Sequence, residues 1–250
     1  MIAYSACHER IFDGKRFETH HAQAQTAMAL ILILGASRGL GRALAEAYLA
    51  QGHQVIATVR KAEDMVDLQA RGARVLQVDL ADPASVSGLA WQLDGASIDV
   101  ALYVAGVWDG HDAGVPPTQQ QFDLVMHSNV LGFMQALPQI APMVQEAGGV
   151  IGAFSSGMSL LADADESAWL YRVSKAALNM AVVSACRQWP GLTLLALDPG
   201  WVQTEMGGAA APLSVAQSVQ GLMQALAQVK PEDRGQLLRH DGRYIKLLDA

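Results

Sequence analysis

Short apolar runs alternate with longer stretches of helical periodicity from Met28 to the end of the chain. The runs are rich in leucine and β-branched residues. The first is apolar at every position, which is typical of a strand buried on both faces. A further strand is expected after residue 235, around an Asp-Gly turn. Six strands are predicted before it, at residues 29–34, 55–59, 75–78, 100–104, 150–154 and 192–197.

Helical periodicity fills the intervals between these strands. Asp82 and Pro83 are a typical N-cap and first-turn pair for the third predicted helix. Pro138 and Pro142 are expected to end or kink the fourth. The helices are predicted at residues 42–51, 62–70, 83–93, 119–144, 168–188 and 214–228.

The regular alternation of strand and helix predicts an α/β fold. We expect one Rossmann-fold domain at residues 28–250, a doubly wound parallel sheet of about seven strands with helices on both faces. Residues 1–27 hold three of the seven histidines and no sustained periodicity, so a loosely ordered N-terminal extension is expected there. They contain no apolar segment followed by a small-residue cleavage site, which argues against a secretory signal. Met28 is a candidate for the true start of the protein.

The amino-acid composition indicates which kinds of molecule the protein can bind. The 250 residues include 24 Asp and Glu against 17 Lys and Arg, for a net charge of −7. No global basic field is available to hold nucleic acid or an anionic membrane, and no apolar run approaches the ~20 residues of a membrane-spanning helix. Cys7 and Cys186 form no CxxC pair. No metal site is expected, a reducing cytoplasm is the expected location, and a small molecule is the expected partner.

A glycine-rich turn joins the first predicted strand to the first helix, where residues 35–41 read GASRGLG. The spacing is G-x-x-x-G-x-G. Glycine permits the tight reversal and lets backbone N–H groups approach a pyrophosphate at the positive end of the helix dipole. Close packing of strand against helix would also favour glycine, but the position between strand and helix favours a dinucleotide site.

Charge near this turn indicates which dinucleotide binds. Arg38 lies inside the turn, and Arg60 follows the second strand, where an NAD-binding protein usually places an acidic residue for the ribose 2′-hydroxyl. The first carboxylate after that strand is Glu63. Because arginine attracts a 2′-phosphate that a carboxylate would repel, NADP(H) is favoured over NAD(H). The alternative is that Arg60 is a solvated loop charge.

Tyr171 and Lys175, four residues apart, supply the candidate chemistry. On a helix this spacing places the phenol and the ammonium on one face. An unperturbed phenol has a pKa of about 10, and a nearby ammonium is expected to lower it. Tyr171 can then exchange a proton with a substrate oxygen while hydride moves to or from carbon. A surface helix with a chance pair is the alternative.

These motifs, in this order, resemble the short-chain dehydrogenase/reductase family over residues 29–204, and most closely its C-factor and Sniffer-like carbonyl reductase branch. The resemblance implies NADP(H)-dependent reduction of a ketone or aldehyde, or the reverse oxidation. The alternative is a C-factor-like sensor or signalling protein that binds NADP(H) with little turnover. The matching elements are Gly35-x-x-x-Gly39-x-Gly41, Val78-Asp79-Leu80, Ala105-Gly106, Asn129, Ser155-Ser156-Gly157, Tyr171-x-x-x-Lys175 and Asp198-Pro199-Gly200.

The resemblance also implies a role for each matching residue. Tyr171 would be the acid/base, and Lys175 would bind the nicotinamide ribose and lower the Tyr171 pKa. Ser156 would polarise the substrate carbonyl, and Asn129 would hold a proton-relaying water. Besides Tyr171 and Lys175, the implied cofactor contacts are Gly35, Ser37, Arg38, Gly39, Leu40, Gly41, Arg60, Asp79, Leu80, Ala105, Gly106, Pro199, Gly200, Val202 and Thr204.

Four features remain open. The family's serine usually lies thirteen residues before the tyrosine, at Met158 here, so Ser156 is chosen on its local match and Ser155 and Ser159 stay as alternatives. Residues 206–213 are expected to form a lid or a plain linker. Family members often pair through the helices that flank the fifth strand, which implies a homodimer or homotetramer, with a monomer as the alternative. The candidates for lining a substrate pocket, if they are not an ordinary surface loop, are Trp108, His111, Asp112 and Trp169.

Overall fold

Eight strands form one continuous sheet in the computed structural model, which describes residues 28–247. They are β1 Leu30–Leu34, β2 Gln54–Val59, β3 Arg74–Gln77, β4 Val100–Tyr103, β5 Val150–Phe154, β6 Thr193–Asp198, β7 Gln236–Arg239 and β8 Tyr244–Lys246. Their order in the sheet is β3-β2-β1-β4-β5-β6-β7-β8. Neighbours from β3 to β7 run parallel, and β8 runs antiparallel to β7. The extension predicted at residues 1–27 lies outside the described residues.

The predicted parallel α/β sheet is confirmed, with one strand more than expected. The tail forms a hairpin in which β7 extends the parallel sheet and the chain then reverses into β8. Gly242 in the Asp-Gly turn takes a left-handed φ of +83°, a conformation that glycine adopts without strain. Leu237 faces Ile245 across the hairpin. An Asp-Gly turn followed by alternating residues is thus sufficient for a second strand.

Helices connect the strands. They are α1 Gly39–Ala50, α2 Met65–Ala70, α3 Pro83–Val86, α4 Leu89–Gln92, α5 Gln119–Met126, α6 Gly132–Glu146, α7 Trp169–Gln188 and α8 Val215–Leu226. Asp82 caps α3 as predicted, since its Oδ1 accepts a hydrogen bond from Ala84 N at 3.0 Å. The single helix expected at 83–93 is instead divided at Gly88 into α3 and α4. Within residues 28–247, no helix is long and apolar enough to cross a membrane.

Pro138 and Pro142 were predicted to end or kink the helix. The first outcome is wrong, because α6 continues through both. Each ring removes one N–H and leaves the carbonyl four residues earlier without its helical partner. Both prolines are exposed and lie one turn apart on the solvent side, where water can bind those carbonyls. The interruption comes earlier, at a π-helical turn over His127–Leu131 that separates α5 from α6.

Two hydrophobic layers cover the sheet. Ile31 and Ile33 of β1 pack in the layer formed with α1, α2 and α8. Leu32 and Leu34 pack in the layer formed with α3, α4, α6 and α7. Both faces of the central strands are therefore buried, which explains why β1 is apolar at every position.

The strand order reverses between β1 and β4. The chain builds β2 and β3 on one side of β1 and then crosses to β4 on the other. In open parallel sheets, ligands bind beyond the carboxyl ends of the strands at this reversal. The two loops meet there, since Ala105 N donates a hydrogen bond to Leu34 O at 3.0 Å. The fold thus places residues 35–41 beside the loop that follows β4.

Gly132 lies where α6 begins, directly against the loop after β3. A Cβ at this position would overlap the Leu80 carbonyl oxygen and the Tyr103 hydroxyl. We expect Gly132→Ala to lower the free energy of unfolding by about 1–3 kcal/mol, as measured by urea denaturation. Gly88→Ala is the control, because its added Cβ would lie 3.8 Å from its nearest neighbour, the flexible end of Gln92. Wild-type stability of Gly132→Ala would contradict this packing.

Candidate active site

A cleft of about 620 Å³ opens at the carboxyl ends of β1, β2, β4 and β5. Most residues given catalytic or cofactor-binding roles from the sequence line it. Four do not: Asn129 and Ser156 lie beside its lining, and Gly200 and Val202 support the segment after β6. The lining residues that were predicted are Gly35, Ser37, Arg38, Gly39, Leu40, Gly41, Arg60, Asp79, Leu80, Ala105, Gly106, Tyr171, Lys175, Pro199 and Thr204.

The glycine turn leaves one end of the cleft open to a ligand. Gly35 has a φ of +99°, and a Cβ there would lie 2.7 Å from Ala105 N. Gly39 has a φ of +58°, and a Cβ at Gly41 would overlap the Gly35 carbonyl oxygen. Side chains at these positions would strain the turn or fill the cradle. This geometry fits close approach by the phosphates of a dinucleotide.

The N-terminus of α1 faces the same end of the cleft. Its N-cap residue, Arg38, makes no side-chain cap, and the first turn carries no acidic residue. The first N–H groups of a helix lack intrahelical partners, and they sit at the positive end of the helix dipole. These groups fit the pyrophosphate of a dinucleotide.

Thr58 is a structural residue that the sequence analysis missed. Its hydroxyl accepts a hydrogen bond from Gly35 N at 2.9 Å, and its carbonyl accepts one from Ala36 N at 2.8 Å. Both bonds tie the glycine turn to β2. The available signal was a polar residue inside an otherwise apolar run at residues 55–59.

Charged groups gather at this end of the cleft. Arg60 is exposed, and its side chain makes no hydrogen bond or ion pair within residues 28–247. Asp79 is held in place, because its Oδ1 accepts a hydrogen bond from Ala81 N at 3.0 Å. Arg38 pairs with Glu205, a residue of the segment after β6 that the sequence did not single out.

Tyr171 and Lys175 lie on the first two turns of α7 and face the other end of the cleft. Both are buried. Lys175 Nζ donates a hydrogen bond to Phe154 O at 2.7 Å and lies 5.5 Å from the centroid of the Tyr171 ring. The helical spacing therefore brings the phenol and the ammonium into one site, as the sequence predicts.

The pKa of Tyr171 differs in direction from the expectation. Burial raises the pKa of the phenol, the Asp198 carboxylate raises it further, and hydrogen bonding with the Ser156 side chain lowers it. Burial also lowers the pKa of Lys175, to about 8. Desolvation thus disfavours the charged form of both groups.

Asn129 lies in the π-helical turn and is buried. Its Oδ1 accepts a hydrogen bond from Val107 N at 2.8 Å, and its Nδ2 donates to Ser174 Oγ at 2.9 Å. A Cβ at Gly106 would lie 3.3 Å from both Asn129 Oδ1 and Lys175 Nζ. Asn129 therefore fixes the loop after β4 beside the lysine.

The three candidate serines have different surroundings. Ser155 Oγ donates a hydrogen bond to Asn179 Oδ1 at 2.7 Å, and Asn179 Nδ2 donates to Ser159 Oγ at 2.7 Å. Ser155 and Ser159 thus bond to a buried amide, although Ser155 also borders the cleft. Of the three serines, Ser156 is the one whose side chain lowers the pKa of the Tyr171 phenol. These contacts favour Ser156.

Trp108 forms the wall beside the phenol. Its ring centroid lies 4.7 Å from that of Tyr171, and the residue is 43% exposed. His111 Nδ1 lies 2.5 Å from the carboxylate of Asp109, which is buried. Among the four residues suggested for a substrate pocket, Trp108 lines the cleft, and the others do not. Those others are His111, Asp112 and Trp169.

Known proteins share this architecture. A family model described as enoyl-(acyl carrier protein) reductase matches residues 35–238. A protein from Burkholderia multivorans, assigned to the short-chain dehydrogenases/reductases and solved with bound NADP, superposes with a TM-score of 0.77. It is 31% identical, over 88% of this chain and 99% of that chain. The carbonyl reductase Sniffer of D. melanogaster superposes with a TM-score of 0.78 at 25% identity, over 88% and 99% of the two chains.

Another relative matches a smaller part of this chain. The C-signal protein of Myxococcus xanthus is 42% identical over 89 residues, which are 35% of this chain and 54% of that protein. The family model, in contrast, spans the residues that line the cleft and the sheet from β2 into β7. With the likeness to solved structures over the full domain, this match identifies the chain as a member of the short-chain dehydrogenase/reductase family.

Proposed function

We propose that the chain is an NADP(H)-dependent oxidoreductase that interconverts a ketone or aldehyde and an alcohol by hydride transfer. The observation that carries the proposal is the position of Tyr171 and Lys175 in the same cleft as the glycine turn. One end offers helical N–H groups and two arginines for phosphates. The other offers a phenol beside an ammonium for proton transfer. The carbonyl reductase activity of Sniffer and the NADP bound by the Burkholderia protein support the same assignment.

Tyr171 is the proposed acid in the reductive direction. Burial and the Asp198 carboxylate raise its pKa, so the phenol carries its proton at neutral pH. When bound, NADPH supplies hydride for the carbonyl carbon. Tyr171 donates its proton to the oxygen as that oxygen gains the electron pair of the broken C=O π bond, and the alcohol results. In the oxidative direction the phenolate takes the proton back.

Ser156 and Lys175 are proposed to support this transfer. Ser156 donates a hydrogen bond to the substrate oxygen and orients it toward the phenol. Lys175 binds the nicotinamide ribose, and its ammonium stabilises the phenolate that remains after proton donation. Asn129 holds the neighbouring loop, and its proton-relaying water stays a prediction.

Preference for NADP(H) is proposed from the charges at the phosphate end. Arg60 follows β2 with its guanidinium unpaired among the described residues, and Arg38 lies within the turn. The two cations fit a 2′-phosphate, which charge-assisted hydrogen bonds to guanidinium groups would hold. The remaining proposed contacts are Asp79 with the adenine amino group, the cofactor-lining residues Leu80, Ala105 and Gly106, and Pro199, Gly200, Val202 and Thr204 at the nicotinamide.

A sensor or signalling protein is the second candidate. The match to C-signal favours it. Such a protein would bind NADP(H) without needing Tyr171 and Lys175 at the far end of the cleft. Assay of a panel of ketones and aldehydes with NADPH distinguishes the two, because only the enzyme oxidises NADPH in the presence of substrate.

Replacing Tyr171 by Phe removes the proton donor and leaves the ring. We expect Tyr171→Phe to lower kcat about 10²- to 10⁴-fold with any carbonyl substrate that the panel identifies. NADPH affinity, measured by cofactor fluorescence, is expected to stay within about threefold, because the phosphate end is unchanged.

Tyr244→Phe is the matched control, since Tyr244 lies on β8 and its hydroxyl donates a hydrogen bond to Asp233 Oδ2 at 3.0 Å, outside the cleft. It is expected to keep wild-type turnover. Full turnover by Tyr171→Phe would refute the mechanism.

Lys175 links stability to pH. In the unfolded chain its ammonium persists to a pH of about 10.4, whereas in the folded protein its pKa is about 8. Between these values the unfolded chain binds more protons, so stability rises with pH. We expect the unfolding free energy of wild type, minus that of Lys175→Met, to rise by roughly 3 kcal/mol between pH 7 and 10.5. Urea denaturation across this range measures it, and a constant difference would refute the low pKa.

Arg60 is expected to discriminate between the cofactors. Arg60→Ala should weaken NADPH binding about tenfold and change NADH binding less than about twofold, because NADH lacks the 2′-phosphate. Titration by cofactor fluorescence measures both. Arg187→Ala removes the same charge from the far end of α7 as a control. Equal weakening of the two cofactors would show that Arg60 does not contact the 2′-phosphate.

A further inference from the structure

A carboxylate lies at the phosphate end of the cleft. Glu205 lines the cavity, and its Oε2 lies 2.5 Å from Nη1 of Arg38. Arg38 is the N-cap residue of α1, whereas Glu205 belongs to residues 201–213, the segment after β6. The pair therefore joins the two sides of the cleft.

Backbone geometry places residues 201–213 there independently of this ion pair. A Cβ at Gly39 would lie 4.0 Å from Thr204 Cγ2, so the segment sits directly over the start of α1. The segment is internally bonded: Trp201 Nε1 donates a hydrogen bond to Gly207 O at 2.7 Å, and Gln203 N donates to Leu213 O at 2.8 Å. Residues 201–213 therefore form a structured loop, which holds the Glu205 carboxylate in a fixed position.

The carboxylate of Glu205 has the same sign of charge as the phosphate that the cleft is proposed to bind. A 2′-phosphate and Glu205 are both anions, and both would bind the guanidinium of Arg38. The side chains of Arg38 and Glu205 are 64% and 77% exposed, so their pair is weak and open to exchange. Arg60 has no such competitor among the described residues. One of the two arginines is thus engaged by the protein's own carboxylate.

We propose that Glu205 is a cofactor-selectivity residue that competes with the 2′-phosphate of NADP(H) for Arg38. It lowers the affinity for NADP(H) relative to NAD(H), and it makes release of residues 201–213 from Arg38 part of NADP(H) binding. NADH, which lacks the 2′-phosphate, leaves the pair in place. The inference rests on the proposed NADP(H) site and concerns binding, not turnover.

Glu205→Gln tests it by removing the charge at nearly constant shape. We expect the ratio of the NADH to the NADPH dissociation constant, measured by cofactor fluorescence, to rise about two- to fivefold. The gain should shrink at 0.5 M NaCl, because salt screens exposed charges. Glu146→Gln is the control: it makes the same change of net charge at the end of α6, outside the cleft, and should leave the ratio unchanged.

A double-mutant cycle separates competition for Arg38 from direct repulsion. In the Arg38→Ala background, Glu205→Gln should no longer raise the ratio, because the shared partner is gone. An unchanged ratio in the single variant, or the same rise with and without Arg38, would overturn the inference. If the wild-type protein fails to bind NADPH at all, the proposed function falls as well, a result distinct from normal binding with no response to Glu205→Gln.

Discussion

The rest of the site depends on the burial of the Lys175 ammonium. It lies on α7, where its Nζ donates a hydrogen bond to the carbonyl of Phe154 at the end of β5. Burial penalises the charge, which lowers its pKa to about 8. The space that it occupies exists because Gly106 has no side chain and Asn129 fixes the loop around it. Because water is excluded from this ammonium, its electrostatic interaction with any charged group beside it is strong.

The same desolvation acts on Tyr171. Packed under Trp108 and near the Asp198 carboxylate, the phenol holds its proton more tightly than in water. A neutral phenol is an acid, which suits the proton donation that we propose for it. The opposite end of the cleft has the reverse character, with exposed arginines and free helical N–H groups that suit phosphates. The two ends of the cleft therefore differ in charge and exposure, and each end suits a different part of a dinucleotide.

Local features were predictable from the sequence, and contacts between distant segments were not. The apolar run of β1, the glycine turn and the four-residue spacing of Tyr171 and Lys175 depend on short stretches of chain, and the structure shows all three. The pKa of Tyr171 depends on burial and on Asp198, which no spacing reveals. Pro138 stays inside α6 because its side of the helix faces solvent, a tertiary property.

The site shows the same division. The choice among three serines needed the contacts of Asn179, a residue on α7 to which the sequence assigned no role. Arg38 and Glu205 form an ion pair although they lie 167 positions apart in the chain. The sequence around either residue does not indicate the other as its partner. Sequence motifs therefore located the cleft, whereas the electrostatic balance within it emerged from tertiary structure.

Label transfer shows whether the protein moves hydride from NADPH to a carbonyl carbon. The protein is incubated with NADPH carrying deuterium at the transferable C4 position and with a panel of ketones and aldehydes, and the alcohol products are analysed by mass spectrometry and NMR. We expect one deuterium on the carbinol carbon of a product alcohol and an exchangeable hydrogen on its oxygen. Tight NADPH binding with no labelled alcohol from any member of a broad panel would contradict it.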